Sequence, residues 1–170
     1  MRTSILIYAL FGTLTMNAQG NVASSDSAAT MSPVVTADDF TALTADGKAM
    51  KLCDLPKGRL TILVFFDPDC GACRQAIFGL KHSSLVKQLI EEEVLQVMTV
   101  HVGYEERLWR NMLGDMPETW MKTTTTAEML DGKCYDLSTM PALYLLDADR
   151  KIMMRSSYAE NLTEVLYKLW

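Results

Sequence analysis

The run Leu60 to Phe66 (LTILVFF) is almost unbroken in apolar side chains and carries β-branched residues at Thr61, Ile62 and Val64. It is too short for a typical helix and shows no alternation. It therefore reads as a central strand buried on both faces. Asp67-Pro68-Asp69 follows, and a proline, which has no N–H to give to a sheet, stops the strand there. Cys70 and Cys73 then stand three residues apart where a helical pattern begins at Gly71. Cysteines at i and i+3 of a helix N-terminus can close a small disulfide ring without distorting the turn. The helix dipole and the free backbone amides stabilise a thiolate on the first of the two sulfurs. The other reading of such a pair is structural: two inert thiols, or half of a zinc site.

The beginning of the chain points to the compartment. Arg2 supplies a positive start, Ile5 to Leu14 an apolar stretch, and Ala18 and Gly20 the small residues of a cleavage site. This is the pattern of an export signal spanning residues 1–18, too short for the ~20 residues of a membrane-spanning helix. No cysteine follows the apolar stretch, which argues against a lipid-modified N-terminus. Residues 19–36, rich in Ser, Ala and Thr, read as a flexible leader, and residues 37–170 as one domain large enough for a real core. Removal of residues 1–18 takes away one positive charge, Arg2, and moves the formal net charge from −5 to −6. A mildly acidic chain without a basic cluster is poorly suited to nucleic acid or to anionic membranes. An exported chain meets conditions in which disulfides form and persist.

Within 37–170, Ala45-Asp46-Gly47-Lys48 marks a turn between two short strands in the segment Phe40 to Leu52. Gly71 to about Glu93 is helical in pattern, with Phe78, Leu85 and Leu89 on one stripe; His82-Ser83-Ser84 is a place for it to break, a serine capping the second half. Val94 to Val102 predicts a second buried strand, and Tyr104 to Met116 a helix. Trp120 to Thr125 is a weaker strand and Thr126 to Leu130 a short helix. Ala142 to Leu146 and Ile152 to Arg155, joined by Asp147-Ala148-Asp149-Arg150, predict a hairpin. Asn161-Leu162-Thr163-Glu164 resembles the capping box of a last helix. The order is β-α-β-α-β-β-α behind a hairpin.

That order, the Cys70-Gly71-Ala72-Cys73 at a strand-to-helix turn and Met140-Pro141 before a hairpin together resemble the thioredoxin-like family. The likeness is nearest to exported proteins of the TlpA and cytochrome-c-maturation type, and the phrase Asp67-Pro68-Asp69-Cys70 is similar to a Bacteroidetes-type subgroup. It implies an α/β thioredoxin-like fold, a central mixed β-sheet flanked by helices, with an N-terminal β-hairpin extension. It also implies that Cys70 is the nucleophile and Cys73 the resolving thiol, and that Pro141 is cis and faces them. Met140 would then offer main-chain hydrogen bonds to an extended substrate, with Gly71 and Ala72 beside it. No metal or organic cofactor is required, because a dithiol carries two electrons itself. The implied partners are protein thiols and disulfides and a redox partner. Reductase, oxidase and isomerase roles all fit.

The chain departs from thioredoxin in two respects. Asp69 and Gly71-Ala72 stand where thioredoxin has Trp and Gly-Pro, and Val64 stands where it holds a buried acid that moves protons for the second cysteine. Water or a nearby carboxylate, Asp67 or Asp69, must take that role. A peroxidase site is disfavoured because Asp67 occupies the position of a Thr or Ser. Copper delivery is disfavoured because the cysteine spacing is one residue short. A non-catalytic thioredoxin-like module that binds partners or handles metal stays as the alternative. Cys53 and Cys134 read as separate half-buried thiols that react more slowly than Cys70 and Cys73, with a second disulfide between them as the other reading. His82 reads as a surface residue, His101 as a satisfied group at the core's edge, and the three tryptophans as packing residues.

Overall fold

The structure is a computed structural model that describes residues 35–170. The expected export signal, residues 1–18, and all but the last two residues of the expected leader lie outside the described residues. The sheet has seven strands: β1 (Thr41–Thr44), β2 (Ala49–Lys51), β3 (Leu60–Phe66), β4 (Leu95–Val102), β5 (Met121–Thr125), β6 (Ala142–Leu146) and β7 (Ile152–Ser156). Their spatial order is β2-β1-β5-β4-β3-β6-β7. β3, β4 and β5 run parallel, and the other neighbours pair antiparallel. The helices are α1 (Gly71–His82), α2 (Ser84–Glu91), α3 (Glu106–Met112), α4 (Ala127–Leu130) and α5 (Ala159–Leu169).

β3 is buried on both faces, as its unbroken apolar run requires. Ile62, Val64 and Phe66 point to the layer formed by α1, α2, α3 and α5, where they meet Ile77, Leu80, Leu89, Trp109 and Leu162. Leu63 and Phe65 point to the opposite layer, built from Phe40, Leu52, Leu55, Leu130 and Tyr135. On that side an aromatic cluster replaces long helices. The Phe65 ring lies 5.7 Å from Phe40, 4.9 Å from Tyr135 and 5.9 Å from Tyr144. Such tilted and edge-on rings add to the area that they bury. Phe40 thus ties the chain just before the hairpin to the central strand. The hairpin turns at Gly47 (φ 82°), and β1 joins the sheet through β5, so the segment read as a weaker strand connects the hairpin to the rest.

The helical region breaks where the sequence suggested, and the helices depart from the sequence expectations in three places. Helix α1 ends at His82, and the Ser83 hydroxyl accepts the Val86 N–H (3.3 Å) to start α2. The break shifts the helical phase. Phe78 is therefore not on the buried stripe with Leu85 and Leu89 but 63% exposed, its ring stacked on His82 at 4.0 Å. The helix expected over Tyr104 to Met116 is α3 followed by a 3-10 turn, Leu113–Asp115. Pro117 forces Met116 into extended geometry (ψ 144°) and closes it. The last helix begins at Ala159 rather than at an Asn161 cap. Ser156, at the end of β7, accepts from the Tyr158 N–H (3.0 Å) and from Asn161 Nδ2 (2.9 Å), so the entry is held from the strand side. Trp109 and Trp120 are core residues, but Trp170 is 60% exposed. Among the described residues no helix is long and apolar enough to cross a membrane.

Candidate functional site

The end of β3 and the start of α1 are joined by a tight, hydrogen-bonded turn. Asp67 Oδ1 accepts from the Asp69 N–H at 2.8 Å, and the Asp67 carbonyl accepts from the Cys70 N–H at 3.1 Å. Asp residues favour such turns because a short side chain can hold a backbone amide two residues on. Cys70 is the N-cap of α1. Its sulfur accepts from the Cys73 N–H at 3.3 Å, one of the amides that a helix start leaves without a backbone partner. The Arg74 guanidinium folds back over the turn, with Nη1 donating to the Pro68 carbonyl at 2.7 Å.

The two sulfurs differ in environment. Cys70 is partly exposed, with Gly71 and Ala72 exposed beside it, whereas Cys73 is fully buried among Phe66, Ala76 and their neighbours. Burial, and then the adjoining Cys70, push the Cys73 thiol up to about 12, while the amide of Asp67 works the other way. A thiol so raised is protonated at neutral pH and held in reserve.

Met140 and Pro141 come to the same place from the far end of the chain. The Met140–Pro141 peptide bond is cis, and the Met140 carbonyl accepts from the Cys70 thiol at 3.7 Å. Pro141 is buried and Met140 half-buried. The loop before them is pinned by Tyr135, whose hydroxyl donates to the Asp38 carbonyl at 2.5 Å while its ring sits in the aromatic cluster. Asp136 adds a second tie through an ion pair with Arg155 (3.3 Å). The positions singled out in the sequence, Cys70, Gly71, Ala72, Cys73, Met140 and Pro141, thus come together in one region, with Cys73 and Pro141 beneath its surface.

Other candidates lie apart from it. All four cysteines are free thiols. Cys134 is bound to the segment before the hairpin, its N–H donating to Asp38 Oδ2 (2.6 Å) and its sulfur accepting from the Asp38 N–H (3.3 Å). Cys53 is exposed, with its N–H on Asp39 Oδ1 at 2.9 Å. His101 is buried, with Nδ1 2.8 Å from Thr124 Oγ1 and its ring stacked on Trp109. Burial lowers its pKa, and the charge of Asp67 partly offsets that. Among the described residues no group of three or more His, Cys, Asp or Glu is placed to hold a metal ion. One feature has no signal in the sequence, a half-open cleft of about 470 Å³ lined by residues such as Leu43, Tyr104, Trp109, Arg110 and Thr124. Its walls come from separate segments, so no local motif announces it. Neither Cys70 nor Cys73 lines it.

The solved structures that resemble this chain agree with the fold. A thioredoxin-like protein from Bacteroides caccae superposes with a TM-score of 0.73 at 28% identity, over 80% of this chain and 49% of its own. The chain therefore spans about half the length of that protein. The C-terminal domain of a Bacteroides fragilis protein matches with a TM-score of 0.71 at 25% identity, over 78% of this chain and 95% of that domain. A thiol:disulfide interchange protein from Bacteroides sp. shares the fold at 17% identity, with a TM-score of 0.68 over 81% and 89% of the two chains. No family model matches the sequence, and the comparison with curated proteins returns no match. By its strand order and its likeness to these structures, the chain has a thioredoxin-like fold.

Proposed function

We propose that the chain is an exported thiol–disulfide oxidoreductase that exchanges disulfides with protein substrates. The observation that carries this reading is the unequal pair at the start of α1. Cys70 is partly exposed and held by the Cys73 N–H (3.3 Å), and Cys73 is buried with its thiol raised to about 12. Cys70 attacks a substrate disulfide as the thiolate, forming a mixed disulfide and releasing one substrate thiol. Cys73 then attacks the Cys70 sulfur, closes the Cys70–Cys73 disulfide and releases the second thiol. Two electrons pass to the substrate, and the reverse sequence oxidises a dithiol.

Met140 and Pro141 align the substrate chain next to Cys70, with Gly71 and Ala72 leaving room for it. The Met140 carbonyl, already within reach of the Cys70 sulfur, supports that role. Residues 1–18 direct export and are removed, 19–36 form a leader and 37–170 the working domain, placed in the periplasm or outside the cell. The name of the Bacteroides sp. interchange protein, a structural neighbour, agrees with the chemistry proposed. Mass mapping after mild oxidation tests the reading. It expects a Cys70–Cys73 bridge in the mature protein and reduction of insulin when a dithiol is supplied. A pair that stays unbridged, or purified protein that carries stoichiometric zinc, would replace it with a binding module.

A further inference from the structure

Met140 can align a substrate only if its carbonyl is held beside Cys70, and no regular element holds it there. Between α4 and β6 the chain runs from Asp131 to Pro141 without helix or strand. Side chains satisfy its backbone instead. The Cys134 N–H donates to Asp38 Oδ2 at 2.6 Å, the Asp136 N–H to the Tyr144 hydroxyl at 2.6 Å and the Ser138 N–H to Asp136 Oδ1 at 3.0 Å. The last two acceptors belong to the loop itself or to β6, which follows it. Asp38 comes from the segment before the hairpin, 96 residues from Cys134 in sequence. Three of its polar groups turn to the same two residues. Its carboxylate takes the Cys134 N–H, its own N–H donates to the Cys134 sulfur at 3.3 Å, and its carbonyl takes the Tyr135 hydroxyl at 2.5 Å. The segment that carries Asp38 is itself fixed. The Ala37 N–H donates to the Arg150 carbonyl at 2.8 Å, and the Phe40 ring is buried against Phe65 and Tyr135. Asp39, the next residue, is exposed and holds the Cys53 N–H instead.

We propose that Asp38 is a positioning residue for the substrate chain: by holding Cys134 and Tyr135 it fixes where the loop delivers the Met140 carbonyl. The proposal rests on the thiol-exchange reading and adds to it a residue from the segment before the hairpin. A carboxylate that accepts a backbone N–H makes one of the stronger hydrogen bonds. It is also the part of the clamp that a substitution can remove, because the Asp38 N–H and carbonyl are backbone groups. A misplacement of about 1 Å near reacting groups can cost about 10²-fold in rate. Such a shift of Met140 falls on a polypeptide that must lie along it. A small reagent that meets only the Cys70 sulfur does not feel it.

The test compares two reactions of one thiol. Insulin reduction in the presence of dithiothreitol needs a polypeptide beside Met140, whereas iodoacetamide labelling of Cys70, read from its peptide by mass, does not. Asp38→Ala should lower kcat/KM for insulin at least about fivefold, while Cys70 labelling slows by no more than about twofold. Asp38→Asn keeps an oxygen for the Cys134 N–H and should hold insulin reduction within about twofold of the parent. Asp39→Ala, which frees Cys53 rather than the loop, should also stay within about twofold. Tyr135→Phe removes only the hydroxyl bound to the Asp38 carbonyl and keeps the ring in the aromatic cluster. It should act in the same direction as Asp38→Ala, and it decides the matter if Asp38→Ala does not fold. A fall in insulin reduction smaller than about fivefold, or one matched by slower Cys70 labelling, would overturn the proposal. So would an equal fall in Asp39→Ala, or in Asp38→Asn, which would assign the effect to charge rather than to the tie. A parent protein that labels at Cys70 yet does not reduce insulin would sink the exchange reading itself, and this proposal with it.

Discussion

Cysteine alkylation gives the unequal environments of the four thiols a number. A thiol raised to about 12 is ionised to roughly one part in 10⁴ at pH 8. An ordinary exposed cysteine, near 8.5, is ionised to about one quarter, so Cys73 starts with a deficit of about 2,000-fold. A more basic thiolate is also a better nucleophile. At a Brønsted slope of ~0.4–0.5 this returns about 40-fold and leaves Cys73 about 60-fold slower than an ordinary thiol. Steric shielding by α1 adds to that. The assay is iodoacetamide labelling of the reduced protein at pH 8, with quenched aliquots digested and each cysteine peptide quantified by mass. Cys70 should label first and Cys73 last. Cys53 falls between them: it is exposed, but the hydrogen bond with Asp39 holds its pKa up. Cys134 is half-buried and raised by burial. This order reverses the sequence-based expectation that Cys53 and Cys134 would be slowest. Labelling of Cys73 within about tenfold of an ordinary thiol, or ahead of Cys134, would refute the account of its burial.

Two further predictions concern the scaffold. Phe40→Ala removes a buried ring that contacts Phe65 and Tyr135 and should cost about 3–5 kcal/mol in urea unfolding; a loss under 1 kcal/mol would mean that the segment before the hairpin is not part of the cooperative fold. Burial holds the His101 pKa below its ordinary 6.5, so the unfolded chain takes up a proton first as pH falls. Stability should therefore decline from about pH 6.5 down through the lowered folded pKa, and His101→Gln should flatten that part of the profile. A profile that His101→Gln leaves unchanged contradicts this assignment.

What was legible in the sequence was mostly what local chemistry determines. The unbroken run of β3, the stop at Pro68 and the cysteine spacing each depend on neighbours within a few residues, and the structure has them as read. Met140-Pro141 was legible only through the resemblance, since nothing local reports that it returns to Cys70 from the far end of the chain. The misreadings have tertiary causes. Phe78 fits a helical stripe only if the helix is continuous, and the Ser83 cap resets its phase. Asn161 looks like a cap, but the helix starts two residues earlier, at Ala159, and the Asn161 side chain is spent on Ser156 of the preceding strand. The weaker strand at Met121–Thr125 gains its place from pairing on both sides, with β4 and with β1, which propensity alone does not weigh.

In the proposed exchange Cys70 attacks and Cys73 resolves. Trapping with single cysteine variants tests it most directly. Cys73→Ser retains the N-cap sulfur and its exposure but removes the second thiol, so a mixed disulfide with a substrate protein should persist and be visible as a dithiothreitol-sensitive adduct on a non-reducing gel. Cys70→Ser leaves only the buried thiol and should form no such adduct. Equal trapping by both variants, or trapping by Cys70→Ser alone, would contradict the assignment of roles.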